Sequence, residues 1–257
     1  MSLSRSFAFR RLRPLWEGVR GEIGGLVDCF LPVCCAFCDT PLTSSTQPAL
    51  CPACQNALAE NKPAACPRCA LPYPDYGGSD HLCGDCLQHP PPYRTVCALG
   101  IYEGPLRQAI HRFKYQQDFT LAAPLGHLLA AAVRRQGLLP DLILPVPLHP
   151  SRLRQRTFNQ ALLLARILGK QSSTPVARKL LRRLRPTPPQ QGLSLDGRRH
   201  NLNRAFALSS PLDGESVLLV DDVMTSGATV AACAAVLLEN GAQTVEVAIL
   251  ARAAKGT

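Results

Sequence analysis

Eight of the twelve cysteines in this chain fall into four C-x-x-C pairs between residues 35 and 86, and no other feature narrows the possible folds as far. Cys35 and Cys38 are followed after twelve residues by Cys51 and Cys54; Cys66 and Cys69 are followed after thirteen by Cys83 and Cys86. Two residues between thiolates let one tight turn present both sulfurs to a single ion, and two such turns complete a tetrahedron. The four pairs fit two Zn²⁺ sites of four thiolates each, arranged either as consecutive ribbons or interleaved, first with third and second with fourth. Thiolates fill every position and leave none open for catalysis, so the zinc is expected to be structural. Cys29, Cys34, Cys97 and Cys233 fall outside this rhythm and read as small apolar residues.

The cysteine-bearing segment, residues 31–90, is rich in Pro and poor in periodicity. Such a composition builds no large core, so metal is expected to fold it into a double zinc ribbon. Disulfides would require export. The opening "MSLSRSFAFRRLRPLW" is basic and lacks the apolar block of a secretory signal, which favours metal and a cytoplasmic location. Within residues 1–30, Trp16, Val19, Ile23, Val27 and Phe30 recur at helical spacing and predict a helical lead. No stretch approaches the roughly 20 apolar residues of a membrane span, so no integral membrane segment is expected. Hydrophobic residues at 46% and charged residues at 18% exclude global disorder. The formal charge is +10. Two tetrathiolate zinc sites at about −2 each would lower it to about +6. That remaining excess points to an acidic partner such as a polyphosphate or a nucleic acid.

Residues 91–257 change texture. "TVCALGIY" reads as a strand, "PLRQAIHRFKY" as a helix and "DLILPVPL" as a buried strand. A helix follows with Phe158, Leu162, Ala165 and Leu168 on one face. "SVLLVDDV" is a further strand, residues 228 to 239 a helix stopped by Gly241, and "TVEVAIL" a last strand. This alternation predicts an α/β fold, a parallel sheet flanked by helices. Residues 182 to 203 form the one extended irregular stretch, and loops that long are usually functional or disordered. No long internal repeat is visible beyond the cysteine pairs.

In "VLLVDDVMTSGAT" a strand ends in Asp221 and Asp222, and a turn of Thr225, Ser226, Gly227, Ala228 and Thr229 leads into a helix. Backbone N–H groups at the helix start and the three hydroxyls form an anion cradle, while Gly227 lets the chain turn tightly. The carboxylates suit the vicinal hydroxyls of a sugar. No basic residue adjoins them, so their stabilisation is expected from ligand hydroxyls, helix N–H groups and a metal shell.

"LLVDDVMTSGAT" resembles the phosphoribosyl pyrophosphate (PRPP) motif of type I phosphoribosyltransferases. The order of elements, a Cys-rich module, "PVPLHPSRLRQRTFNQA", "QQGLSLDGRRHNLNRAF" and then the PRPP motif, is similar to the ComF or GntX family over roughly residues 25 to 257. The resemblance implies that Asp221 and Asp222 hold the ribose hydroxyls and that Thr225, Ser226, Gly227, Ala228 and Thr229 hold the 5′-phosphate. It places His149, Arg152 and Arg156 near the pyrophosphate, with Mg²⁺ bridging pyrophosphate and ribose oxygens. Arg198, with Arg199 and Asn201, would close over the site from the irregular stretch. Lys114 and Tyr115 are further candidates to reach it. Relatives that salvage 6-oxopurines carry Asp where this chain has Thr225, which disfavours hypoxanthine and guanine as acceptors.

Two functions follow from the resemblance. The first is a Mg²⁺-dependent phosphoribosyltransferase of unknown acceptor, linked to DNA uptake or DNA utilisation, with Asp221, Asp222, Arg152 and Arg156 as catalytic residues. The second is a non-enzymatic module that handles single-stranded DNA, with PRPP as ligand or regulator and DNA-uptake proteins as partners. Phe37, Tyr73 and Tyr76 are the main aromatic stacking candidates in the zinc region.

Overall fold

The computed structural model describes residues 34–42, 49–74, 80–149, 153, 158–185 and 205–254. The helical lead over residues 1–30 lies outside them, as do Cys29 and Tyr76.

Four parallel strands form the main sheet: β1 (Val96–Ile101), β2 (Leu142–Pro145), β5 (Ser216–Met224) and β6 (Thr244–Arg252), in the order β1-β6-β5-β2. The central strands are almost continuously apolar because both faces are covered. Along β5, Leu218 and Val220 pack on one face with α3 (Gly104–Tyr115), α4 (Ala122–Arg135) and α5 (Gln160–Ser172). Val217 and Leu219 pack on the other with α6 (Ala228–Glu239).

The connections change face between neighbouring strands. Helix α5, which follows β2, lies on one side, and α6, which follows β5, lies on the other. At such a switch point the two strand ends diverge and leave a crevice beyond their C-termini, the usual ligand position in open α/β sheets.

Three expectations need correction. Strand β5 does not stop at the Asp pair but runs on to Met224, because β6 is long enough to continue the ladder through Val223↔Ala251 and Met224↔Arg252. Helix α5 starts after Phe158, capped by the Asn159 side chain on the Leu162 N–H. Its buried face is therefore Ala161, Leu164, Ala165 and Leu168, while Leu162 is only partly covered. The stretch from residue 182 is not irregular throughout. Strand β3 (Leu181–Arg183) pairs antiparallel with β4 (Phe206–Leu208), a ladder too short for sequence periodicity to register.

Candidate functional site

The sulfurs of Cys35, Cys38, Cys51 and Cys54 lie within 4.8 Å of one another, and so do those of Cys66, Cys69, Cys83 and Cys86. The pairing is consecutive. Cys38 Sγ to Cys51 Sγ and Cys69 Sγ to Cys83 Sγ are each 3.6 Å, close to the roughly 3.8 Å edge of a tetrahedron with Zn–S near 2.3 Å. Burial, reinforced by neighbouring sulfurs, pushes the Cys54 and Cys86 thiols well up. Four sulfurs gathered this closely suit a single cation, and an all-thiolate tetrahedral set fits zinc.

The two clusters are built alike. The Cys35 N–H donates to Thr40 and the Cys66 N–H to Leu71, with Asp39 and Ala70 in left-handed conformation at equivalent places. Cys51 and Cys83 each precede a short helix, α1 (Pro52–Glu60) and α2 (Gly84–Gln88). This is an internal repeat that the cysteines alone made visible. Cys97 and Cys233 are buried as expected, but Cys34 is exposed, in an isolated bridge to Pro41.

The ribbons share packing with the sheet domain. Phe37, Leu50 and Leu58 join the core formed with Leu106 and Phe113. Arg112 of α3 grips both oxygens of Asp39 at 3.0 and 3.1 Å and also holds Asp118.

At the crevice, Asp222 is buried and Asp221 half-buried. The N–H of Asp222 donates to Asp221 Oδ1 at 2.8 Å, and the N–H of Val223 to Asp222 Oδ1 at 2.6 Å. The cation that sequence adjacency lacked comes from α3, where Lys114 Nζ lies 2.9 Å from Asp222 Oδ1. No spacing rule links residues 114 and 222; only the packing of α3 beside β5 joins them. Tyr115, the next residue, packs its ring on His111, with centroids 4.9 Å apart. Asp221 is placed differently. Burial, together with the charge of Asp222, raises it to about 7; burial likewise raises the Cys233 thiol of α6, with the nearby Asp221 charge adding to it. The doublet is thus divided: Lys114 holds Asp222, and Asp221 leans toward α6.

The turn follows directly. Thr225 is exposed, Ser226 and Thr229 are partly covered, and Ser226 Oγ accepts from the Ala228 N–H at 3.4 Å. Gly227 sits at φ 77°, and a Cβ there would strike the Met224 side chain and approach the Tyr93 hydroxyl at 3.5 Å. Glycine takes this left-handed corner without the strain a side chain would bring. Helix α6 begins at Ala228, so its first-turn N–H groups point out of the helix beside the turn hydroxyls.

From the neighbouring strand, Val146 continues the ladder with its N–H on the Val220 carbonyl at 2.9 Å. His149 follows, partly covered, on the same edge of the crevice. Arg152, Arg156, Arg198, Arg199 and Asn201 lie outside the described residues. Among the described residues no helix is long and apolar enough to cross a membrane.

Two family models match. A double zinc ribbon domain covers residues 26–87, and a phosphoribosyl transferase domain covers residues 170–257. The "DNA utilization protein YhgH" of Escherichia coli O157:H7 is 39% identical over 228 residues, which is 86% of this chain and 98% of that protein. "Competence protein F" of Haemophilus influenzae is 35% identical over 218 residues, 78% of this chain and 95% of that protein. A purine phosphoribosyltransferase structure from Pyrococcus horikoshii superposes with a TM-score of 0.31 at 18% identity, covering 50% of this chain and 70% of that one.

Proposed function

Because the chain belongs to the ComF family, in which a double zinc ribbon precedes a phosphoribosyl transferase domain, we propose that it binds PRPP with Mg²⁺ and transfers the phosphoribosyl group to an acceptor in DNA utilisation or uptake. One observation carries this reading. The carboxylate doublet near the end of β5 is followed directly by the glycine-cornered hydroxyl turn, at the point where the connections change face.

In this proposal the N–H groups opening α6 and the hydroxyls of Thr225, Ser226 and Thr229 take the 5′-phosphate, with Gly227 and Ala228 shaping the turn. Asp221 and Asp222 accept the ribose hydroxyls, and Lys114 yields Asp222 to them as the sugar arrives. By the family resemblance, His149, Arg152 and Arg156 would serve the leaving pyrophosphate, and Arg198 would join them. Breaking the C1′–O bond builds positive charge on the ribose and negative charge on pyrophosphate, so these cations act by electrostatic stabilisation. Among the described residues only the cysteine clusters gather three or more metal-ligating side chains. Mg²⁺ would accompany PRPP at the crevice beside Asp221 and Asp222 and would neutralise charge on the leaving group.

The non-enzymatic alternative, a single-stranded-DNA module using PRPP as ligand, receives less support. Phe37 is buried at 3% exposure, and Tyr73 has one ring face taken up by His81.

The deciding measurement is pyrophosphate release from PRPP and Mg²⁺, with and without single-stranded DNA, for the wild type and Asp222→Asn. Release that the substitution abolishes is the expected result. DNA binding with no release from either protein would reject transfer in favour of the binding module.

A further inference from the structure

Arg252 closes β6 and is 6% exposed. Its Nη1 donates to the carbonyls of Met224 at 3.0 Å, of Thr225, and of Ala253 at 3.0 Å. Its Nε donates to the carbonyl of Cys69 at 3.0 Å. One buried guanidinium therefore ties the entry of the hydroxyl turn to a ligand-bearing knuckle of the second cysteine cluster. A second contact runs in parallel: Tyr93, buried with Cys66, Cys69 and Cys86, brings its hydroxyl against the Gly227 corner.

The charge balance sharpens this link. Arginine stays protonated in proteins, and a buried cation needs a compensating charge. Among the described residues Arg252 makes no ion pair with a carboxylate; its partners are carbonyls. The nearby centre able to balance it is the second cluster, which as a zinc tetrathiolate carries about −2. Without metal, the knuckle that presents the Cys69 carbonyl to Arg252 loses the ion that holds it in shape.

We propose that Arg252 is a positioning residue that makes the shape of the Thr225–Thr229 turn depend on zinc in the second cluster. Zinc status of this ribbon is thereby read at the phosphate site. The effect on PRPP affinity rests on the function proposed above; the effect on the turn itself does not.

Hydrogen exchange on the full chain tests the coupling. In Cys86→Ser, amides 225–229 are expected to exchange about tenfold faster while those of Val96–Ile101 keep their rates. Cys54→Ser opens the other cluster and should leave the turn within about twofold of the wild type. In Arg252→Gln the turn is already fast, and adding Cys86→Ser changes it little. Equal acceleration in both cysteine variants, or none in Cys86→Ser, overturns the proposal. If Cys86→Ser does not fold, Arg252→Lys decides: it keeps the charge but loses the fork, and unchanged exchange at 225–229 rejects the role. Calorimetry with PRPP and Mg²⁺ separates the two ideas. A wild type that binds no PRPP yet shows the exchange pattern retains the coupling and loses the PRPP site.

Discussion

Lys114 Nζ and Asp222 Oδ1 lie 2.9 Å apart, each side chain about nine-tenths covered, in a pair that joins the end of α3 to the C-terminal part of the crevice strand. Removing one member of a buried pair leaves the other uncompensated, and Lys114→Met is expected to destabilise the protein by about 3 kcal/mol. Adding Asp222→Leu should recover most of that loss. Urea unfolding of the two single variants and the double variant gives the coupling energy, and a value near zero would mean that the pair does not hold the strand in solution.

Asp221 has a pH signature of its own. Its folded-state value is raised to about 7 by burial and by Asp222, so between its ordinary range and pH 7 the folded chain binds the extra proton. Stability contributed by this group is complete at low pH and falls as pH rises through about 7. With allowance for partial exposure, the loss between pH 5 and pH 8 is expected to be about 2 kcal/mol. Asp221→Asn should flatten that segment of the profile. A variant with an unchanged slope would assign the pH dependence to another group.

Gly227 occupies a left-handed corner against Met224 and Tyr93. Gly227→Ala imposes about 1–2 kcal/mol of backbone strain before any clash is counted. PRPP affinity is expected to fall by about tenfold or more, corresponding to about 1.4 kcal/mol. Zinc content should not change, because the cysteines are untouched. Parallel calorimetry and metal analysis check both halves of this statement.

The sulfur geometry predicts two zinc ions per chain by elemental analysis. Chelation should release both and expose Phe37 and Leu50, which share the core of the sheet domain. Loss of near-ultraviolet signal together with a lower melting temperature is the expected outcome. A chain purified with no zinc and an unchanged melting temperature would exclude a structural metal.

Much of this protein is local, and local features are legible in a linear chain. The paired cysteines announced their sites because a two-residue gap already presents both sulfurs to one ion. Strands β1, β5 and β6 announced themselves as largely apolar runs, and α6 by the turn before it and Gly241 after it. What crosses the sequence was decided by packing. Consecutive rather than interleaved ribbons, Lys114 on Asp222 and Arg252 beneath the hydroxyl turn join positions up to 183 residues apart. No periodicity encodes such separations. They exist because a parallel sheet brings the ends of distant strands to one edge, and because burial there leaves every charge in need of a partner that only the folded chain can supply.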